Sequence, residues 1–258
     1  MCNRDGRLRN GCNVVTSAQG DPRSRDRRIA SINGQGNLTL IRAAAAAGVE
    51  HFIFISALKA DEGAVSVPQL AHKYAAEQAL IASGMTYTIF RPSSFQEIFG
   101  DTFAPFKRLI EQRGVAITLG AGKSKHSFVA VRDVAHAVRL ALHYAEAQNA
   151  IIPIGGPEDL NYREAYARIA QITGRHIMIM SISHIALRVG GAVMKPFLPD
   201  LHSWFALFAL YERIGYTCET PAWLVEALGR RGTFDEAVRR MYQPQLVVAD
   251  EERAPAGD

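Results

Sequence analysis

Residues 36–57, GNLTLIRAAAAAGVEHFIFISA, and residues 72–95, HKYAAEQALIASGMTYTIFRPSSF, decide the fold. In the first stretch Leu38, Leu40, Ile41, Ala44 and Ala45 recur at helical spacing, and Gly48 stands where a helix C-terminus favours a left-handed residue. Phe52, Ile53, Phe54 and Ile55 follow without a polar interruption. Such a run suits a strand covered on both faces. The second stretch repeats the plan: Ala76, Leu80 and Ile81 share a helical face, Ser83-Gly84 stops the helix, and Tyr87 to Phe90 form the next strand. Helix-then-strand units joined by short connections imply right-handed crossovers, hence an α/β fold built on a parallel sheet.

The flanks extend this pattern. Asn13 to Ala18 is a short strand candidate and Gly20-Asp21-Pro22 a turn. After Phe95 the pattern predicts a helix over Phe103–Gln112, a strand over Val115–Leu119, an extended piece over Phe128–Val131, a helix from an Asp133 cap to Ala145, and a strand over Ala150–Ile154 closed by Gly155-Gly156-Pro157. Asn161 with Glu164, and Thr233 with Glu236, have capping-box spacing. A strand over His176–Met180 lies between them, and the chain reads as helical from Ser183 onward.

Composition excludes several classes. The 258 residues, 48% of them hydrophobic, suffice for one large domain or a domain with a subdomain. Cys2, Cys12 and Cys218 lie far apart with no Cys-x-x-Cys pair, which argues against a disulfide framework or zinc site and makes a reducing cytoplasm the default location. The eight histidines show no His-x-x-x-His spacing, so no metal ligands are assigned. The most apolar stretch, Ile182 to Leu198, is broken by His184, Arg188 and Lys195 and does not read as a membrane span. The net charge of +4 is concentrated at Arg23, Arg25, Arg27 and Arg28, a basic loop too small for a nucleic-acid footprint, with a cofactor-phosphate contact as the sharper reading. Gly-x-Ser-x-Gly is absent.

Five segments carry a family likeness: GNLTLIRAAAAAGVEHFIFIS, the lysine of HKYAAEQAL, SGMTYTIFRPSSF, HSFVAVRDVAHAV and IPIGGPEDLNYREAY. In that order they resemble the NmrA-like branch of the atypical short-chain dehydrogenase/reductases over residues 13 to 180. The resemblance implies a partial Rossmann-type NAD(P)-binding domain over 13–155, with a substrate-region insert around 115–131, and a mostly helical substrate region over 156–243. Residues 1–12 and 244–258 are expected to be disordered. NADP or NAD is the implied cofactor and a small organic carbonyl-type compound the implied substrate. The branch also contains regulators that bind the dinucleotide without turning it over, so a non-catalytic sensor is the rival reading.

One departure bears on both readings. Such folds begin with a strand, a glycine-rich turn and a helix that hold the pyrophosphate. Thirteen residues precede Val14, whose strand resembles the family's fourth. The units before it take roughly 60 to 70 residues at about 30 per β-α-β unit. A truncated gene product is therefore a third reading; it predicts weak cofactor binding and an open edge at the Val14 strand through which the chain self-associates. Gly34-x-Gly36 and Gly120-Ala-Gly122-Lys123-Ser124 do not replace the missing turn, since neither has the strand and spacing required.

By resemblance, Lys73 holds the nicotinamide ribose and assists proton transfer, because an ammonium favours the ionised form of a neighbouring acid; a solvated surface lysine is the alternative. The usual tyrosine four residues earlier is replaced by Gln69, and Tyr74 points elsewhere. Cofactor contacts are assigned to Thr16, Ser17 and Ala18 on the adenine side and to Ile55, Ser56, Ala57, Pro92, Ser93 and Phe95 near the nicotinamide. Arg91 is read as a structural hydrogen-bonder, Asp133 as an N-cap, and His126-Ser127 as a polar loop without chemistry. Trp204, Phe205 and Phe208 are read as a core stripe, with a substrate-pocket wall as the alternative.

Overall fold

The computed structural model describes residues 13–16, 34–101, 106–183 and 199–244. In chain order the elements are β1 (Asn13–Thr16), α1 (Asn37–Ala46), β2 (His51–Ile55), α2 (Ala60–Gly63), α3 (Pro68–Ile81), β3 (Thr86–Pro92), α4 (Phe106–Arg113), β4 (Val115–Leu119) and β5 (Lys125–His126). Then follow α5 (Val131–Leu140), β6 (Ala150–Ile154), β7 (Leu160–Asn161), α6 (Tyr162–Thr173), β8 (Met178–Ile182), α7 (Pro199–Ile214), α8 (Ala222–Leu228) and α9 (Phe234–Tyr242).

The main sheet has the order β1-β2-β3-β6 and all its pairs are parallel. Alternation along β2 explains its unbroken apolar run. Phe52 and Phe54, with Ile89 of β3, meet Ile41, Ala44, Ala76 and Leu80 of α1 and α3 on one face. Ile53 and Ile55, with Phe90, Ile152 and Ile154, meet Val134 and Ala137 of α5 and Leu224 and Leu228 of α8 on the other. Side chains alternate across a strand, so both sets must be apolar when both faces are covered. Gly48 and Gly84, at φ 70° and 79°, end α1 and α3 and turn the chain into β2 and β3. Placement of a β-carbon there would cost backbone strain.

A second core gathers around Phe99. Phe128, Tyr166, Phe234 and Val238 pack with it, with edge-on ring contacts of 5.2 to 5.4 Å to Phe128, Tyr166 and Phe234. Beside it β4 and β8 pair in parallel. A third cluster joins the two regions: Leu207, Leu210 and Tyr211 of α7 pack on Leu58, Val67 and Leu70. This contact sets α7 against the end of the main sheet. Both predicted capping boxes form, Asn161 with Glu164 and Thr233 with Glu236.

Several boundaries differ from expectation. The eighth strand runs Met178–Ile182, two residues later than predicted, because Met178 is the partner of Val115 and its amide bonds the Gly114 carbonyl. Asp133 is not an N-cap: Ala130 occupies that position and α5 stops at Leu140. The Asp133 carboxylate instead accepts the Gly232 amide at 2.7 Å, tying α5 to the loop before α9. The basic loop at Arg23–Arg28 lies outside the described residues.

Candidate functional site

The strands of the main sheet run the same way, so the ends of β2, β3 and β6 open on one crevice. Parallel α/β sheets bind ligands at such ends. The chain after β2 is sewn to β3 there: Ser56 N bonds Phe90 O at 2.7 Å and Leu58 N bonds Pro92 O at 3.0 Å. Ser93 N then bonds Ile154 O, and Ser93 Oγ bonds Tyr216 O at 2.6 Å. Ile55, Ser56, Pro92 and Ser93 are thus brought to one place. Ala57 packs beside the α7 contact, whereas Phe95 lies on the α5 side of the sheet, its backbone bridged to Val129. Thr16 ends β1; Ser17 and Ala18 lie outside the described residues.

Lys73 reaches this crevice from α3. Its Nζ donates to Ile55 O at 2.7 Å and lies 5.0 Å from the centre of the Phe54 ring. Burial pulls its pKa down to about 8, against the opposing pull of Glu77 one turn later. It is not a solvated surface lysine. Gln69, Lys73 and Glu77 follow at four-residue intervals and so occupy one helical face. Glu77 is wholly buried and takes both ends of a fork from Arg91, at 3.0 and 2.6 Å, while Arg91 also bonds Asp61 at 3.0 Å. Arg91 therefore holds α3 and α2 to β3, the structural role expected of it.

Two buried polar atoms near these strand ends lack partners. Ser56 Oγ and Gln69 Nε2 are buried without a hydrogen bond. Native proteins pair such groups, so each unpaired one asks for a ligand or water. A hydroxyl and an amide beside an ammonium fit the hydroxyls and amide of a nicotinamide riboside.

Next to the crevice lies a small apolar cavity of about 20 Å³, room for little more than a water molecule. His126 and Tyr162 line one side, Phe208, Tyr211 and Glu212 of α7 another, and Phe99 the floor. It adjoins the strand ends through Ser94, whose Oγ meets His126 Nδ1 at 2.9 Å, and through Tyr216, whose ring stacks on Tyr211 and whose hydroxyl lies against the Leu58 backbone. His126, which ends β5, and Ser127 are both 1% exposed, and burial lowers the His126 pKa to about 4. Ser127 bonds Asp159 at 2.5 Å. Phe208 lines this cavity, which favours the pocket-wall alternative for that residue; the side chains of Trp204 and Phe205 lie outside the described residues.

Two further polar atoms are unpaired here. Neither the Tyr162 hydroxyl nor Glu212 Oε1 has a hydrogen-bond partner. Burial first, and then the nearby Glu212, push the Tyr162 pKa up, so its hydroxyl keeps its proton. Ser94 approaches that hydroxyl and opposes the rise, without a bond of full geometry. Neither Tyr162 nor Glu212 was singled out from the sequence as a site residue. Glu212 sits inside an apolar run from Trp204 to Ile214, where a single acid at core spacing was the one available signal.

A parallel sheet wrapped by helices, with a lysine-bearing helix over the strand ends, defines a Rossmann-type dinucleotide-binding protein. The NAD(P)H-binding family model matches residues 7–143, more than half of the chain, and the chain belongs to that family. A (4-alkanoyl-5-oxo-2,5-dihydrofuran-3-yl)methyl phosphate reductase of Streptomyces griseus is 27% identical over 85% of this chain and 79% of its own length. An NAD(P)H azoreductase of Xenophilus azovorans is 27% identical over 58% of the chain, which spans half the azoreductase's length. Among solved structures, the NADPH complex of the quinone oxidoreductase QOR2 of Escherichia coli superposes with a TM-score of 0.68 at 20% identity, over 90% of this chain and 76% of the other. The chain is thus an NAD(P)H-binding relative of reductases. Among the described residues no helix is long and apolar enough to cross a membrane.

Proposed function

We propose that the protein is an NAD(P)H-dependent reductase of small organic carbonyl-type compounds, with the dinucleotide along the ends of β2 and β3 and the substrate at the mouth of the adjoining cavity. The observation that carries this is the juxtaposition of Lys73, Ser56 Oγ and Gln69 Nε2, one buried cation and two unpaired hydrogen-bonding atoms, at the strand ends. The bound dinucleotide supplies a hydride. Lys73 holds and orients the ribose hydroxyls, with its own position fixed by Ile55 O. Gln69 and Ser56 supply hydrogen bonds to the carboxamide side. Ile55, Ala57, Pro92 and Ser93 shape the surrounding wall, and Thr16 ends β1 on the adenine side. The Tyr162 hydroxyl donates to the substrate oxygen and polarises it.

Titration of NADPH and NADH, followed by nicotinamide fluorescence, tests cofactor binding. Saturable binding that weakens at least about tenfold in Lys73→Ala is expected, the loss of one charge-assisted hydrogen bond being worth about 1.5–3 kcal/mol. Absence of binding at millimolar dinucleotide refutes the reading. Oxidation of the dinucleotide across carbonyl, quinone and enone compounds then separates a reductase from a sensor. Gln69 in place of an acid favours the sensor, and stabilisation by dinucleotide without turnover selects it. Among the described residues β1 has a strand neighbour on one side only, which supports self-association through that edge; light scattering of a clean monomer removes this part of the proposal.

A further inference from the structure

We propose that Lys73 is an imine-forming residue: without dinucleotide its amine condenses with small aldehydes faster than the other described lysines, and Arg91 secures this by engaging the carboxylate that would otherwise hold the amine protonated. The inference shares a residue with the proposed reductase but rests on that reading only for the protection that dinucleotide should give.

An ammonium carries three N–H donors and no acceptor. The Lys73 Nζ donates to Ile55 O at 2.7 Å, and its other near neighbour is the Phe54 ring, 5.0 Å away, which attracts the cation without acting as a carboxylate would. The acid on the same helical face is Glu77, one turn along α3. Both of its oxygens are taken. Arg91 Nε and Nη2 donate to them at 3.0 and 2.6 Å, while Nη1 of the same guanidinium holds Asp61 of α2 at 3.0 Å. A two-bond fork fixes the carboxylate toward β3. Glu77 therefore acts on Lys73 only at a distance, and burial outweighs its pull and brings the amine down to about 8.

Loss of a proton suits these surroundings. The neutral amine keeps one N–H on Ile55 O and gains a lone pair, and the N–H groups left over fall from two to one. A lysine withdrawn from water in this way is the form that attacks carbonyl carbon. The lone pair adds to that carbon, the C–O bond breaks as a C=N bond forms, and the oxygen leaves as water with both amine protons. Lys73 is only half-buried as a residue, so a small reagent has a route to it. The other described lysines lack the combination. Lys125 is forked onto Glu164 at 2.8 and 2.6 Å, Lys107 pairs with Glu111, and Lys123 is exposed. Lys59 also bonds a carbonyl, Ile214 O at 3.1 Å, and so separates the effect of such a contact from that of the Phe54 and Arg91 surroundings.

Limiting formaldehyde with cyanoborohydride, applied to the full chain at pH 7 without dinucleotide, tests this. Each imine is trapped as a methylamine, and peptide mass spectrometry reads the rate at each of the six lysines. Lys73 should react at least about tenfold faster than Lys59, Lys107, Lys123 or Lys125; an amine about two units below the ordinary lysine value is neutral roughly a hundredfold more often, and burial with lower nucleophilicity takes back part of this. Its rate should level off above about pH 8, where the rate at Lys123 keeps rising. In urea, where Ile55 and Phe54 no longer surround the amine, the preference should vanish, and Lys73→Arg should remove the fast site alone. Reaction at Lys73 no faster than at Lys123, or a preference that survives in urea, overturns the proposal. Saturating NADPH in parallel samples should slow Lys73 and leave Lys123 unchanged. Lack of that protection with the preference intact would count against the cofactor placement in the reductase reading and leave the Lys73 assignment standing.

Discussion

Glu77 and Glu212 both hold carboxyl oxygens away from water, and their surroundings differ in kind. Glu77 is fully buried between α3 and β3, where Arg91 forks both of its oxygens and Asp61 shares the same guanidinium. Glu212 keeps an oxygen buried among aromatic rings with no partner. Buried charge survives when it is paired and hydrogen-bonded. In the sheet region the pairing is internal and the role is to hold elements together; at the cavity one carboxyl oxygen is left without a partner. Lys73 stands between the two cases, with a carbonyl at 2.7 Å and Glu77 on the next turn but most of its hydration removed.

The largest effect is expected where the internal pairing is broken. Arg91→Met leaves Glu77 buried without its fork and should lower stability by about 3–5 kcal/mol. Addition of Glu77→Leu in the same chain should recover much of this, since an apolar pair of similar volume replaces the charges. Urea unfolding of wild type, single and double variants measures both. A loss under about 1 kcal/mol in the single variant would mean that the fork adds nothing and that the contrast with Glu212 is false.

Lys73 gives a smaller effect with a sign set by pH. Its pKa is about 8 when folded and near 10.5 when unfolded. Below pH 8 both states carry the proton and the burial penalty is present in full, roughly 3 kcal/mol at 1.36 kcal/mol per unit. Between these values the unfolded chain binds more protons, so stability rises with pH and the penalty is gone above the unfolded pKa. The stability difference between wild type and Lys73→Met, followed from pH 7.5 to 10.5, should therefore move in favour of wild type. Tyrosines that titrate in the same range cancel in that difference. A flat difference would place Lys73 in water rather than in the crevice.

These contrasts were legible in the sequence only in part. The α1-β2 and α3-β3 units were readable because each is local: Phe52 to Ile55 are apolar in succession, and the glycines that stop the helices adjoin them. Lys73 was found through the family resemblance, which assigns a lysine to the helix after such a strand. The cavity was not. His126, Tyr162 and Glu212 come from β5, α6 and α7, and only the packing of α7 on Leu58 and Leu70 brings them together. The spacing around Phe208 suits a core face and a pocket wall equally, because both are apolar. Asp133 shows the opposite error: an acid near a helix start reads as a cap, yet its partner is Gly232, distant in sequence and invisible to any local rule.

The smallest effect should fall at Glu212, and its sign is what separates the two carboxyls. Glu212→Leu removes an unpaired polar atom and adds apolar contact to Phe208 and the surrounding rings. The unliganded protein should then gain about 0.5–1 kcal/mol, less than the about 1–3 kcal/mol cost of a fully buried unsatisfied group, because Glu212 is only partly buried as a residue. Glu77→Leu alone should do the reverse, since Arg91 loses the fork and keeps only Asp61. Thermal melts of the two variants in the same buffer make the comparison. A residue retained at a cost to the empty fold is characteristic of a site kept for binding. If Glu212→Leu instead lowers the melting temperature, Glu212 is supporting the α7 contact, and both carboxyls belong to the architecture.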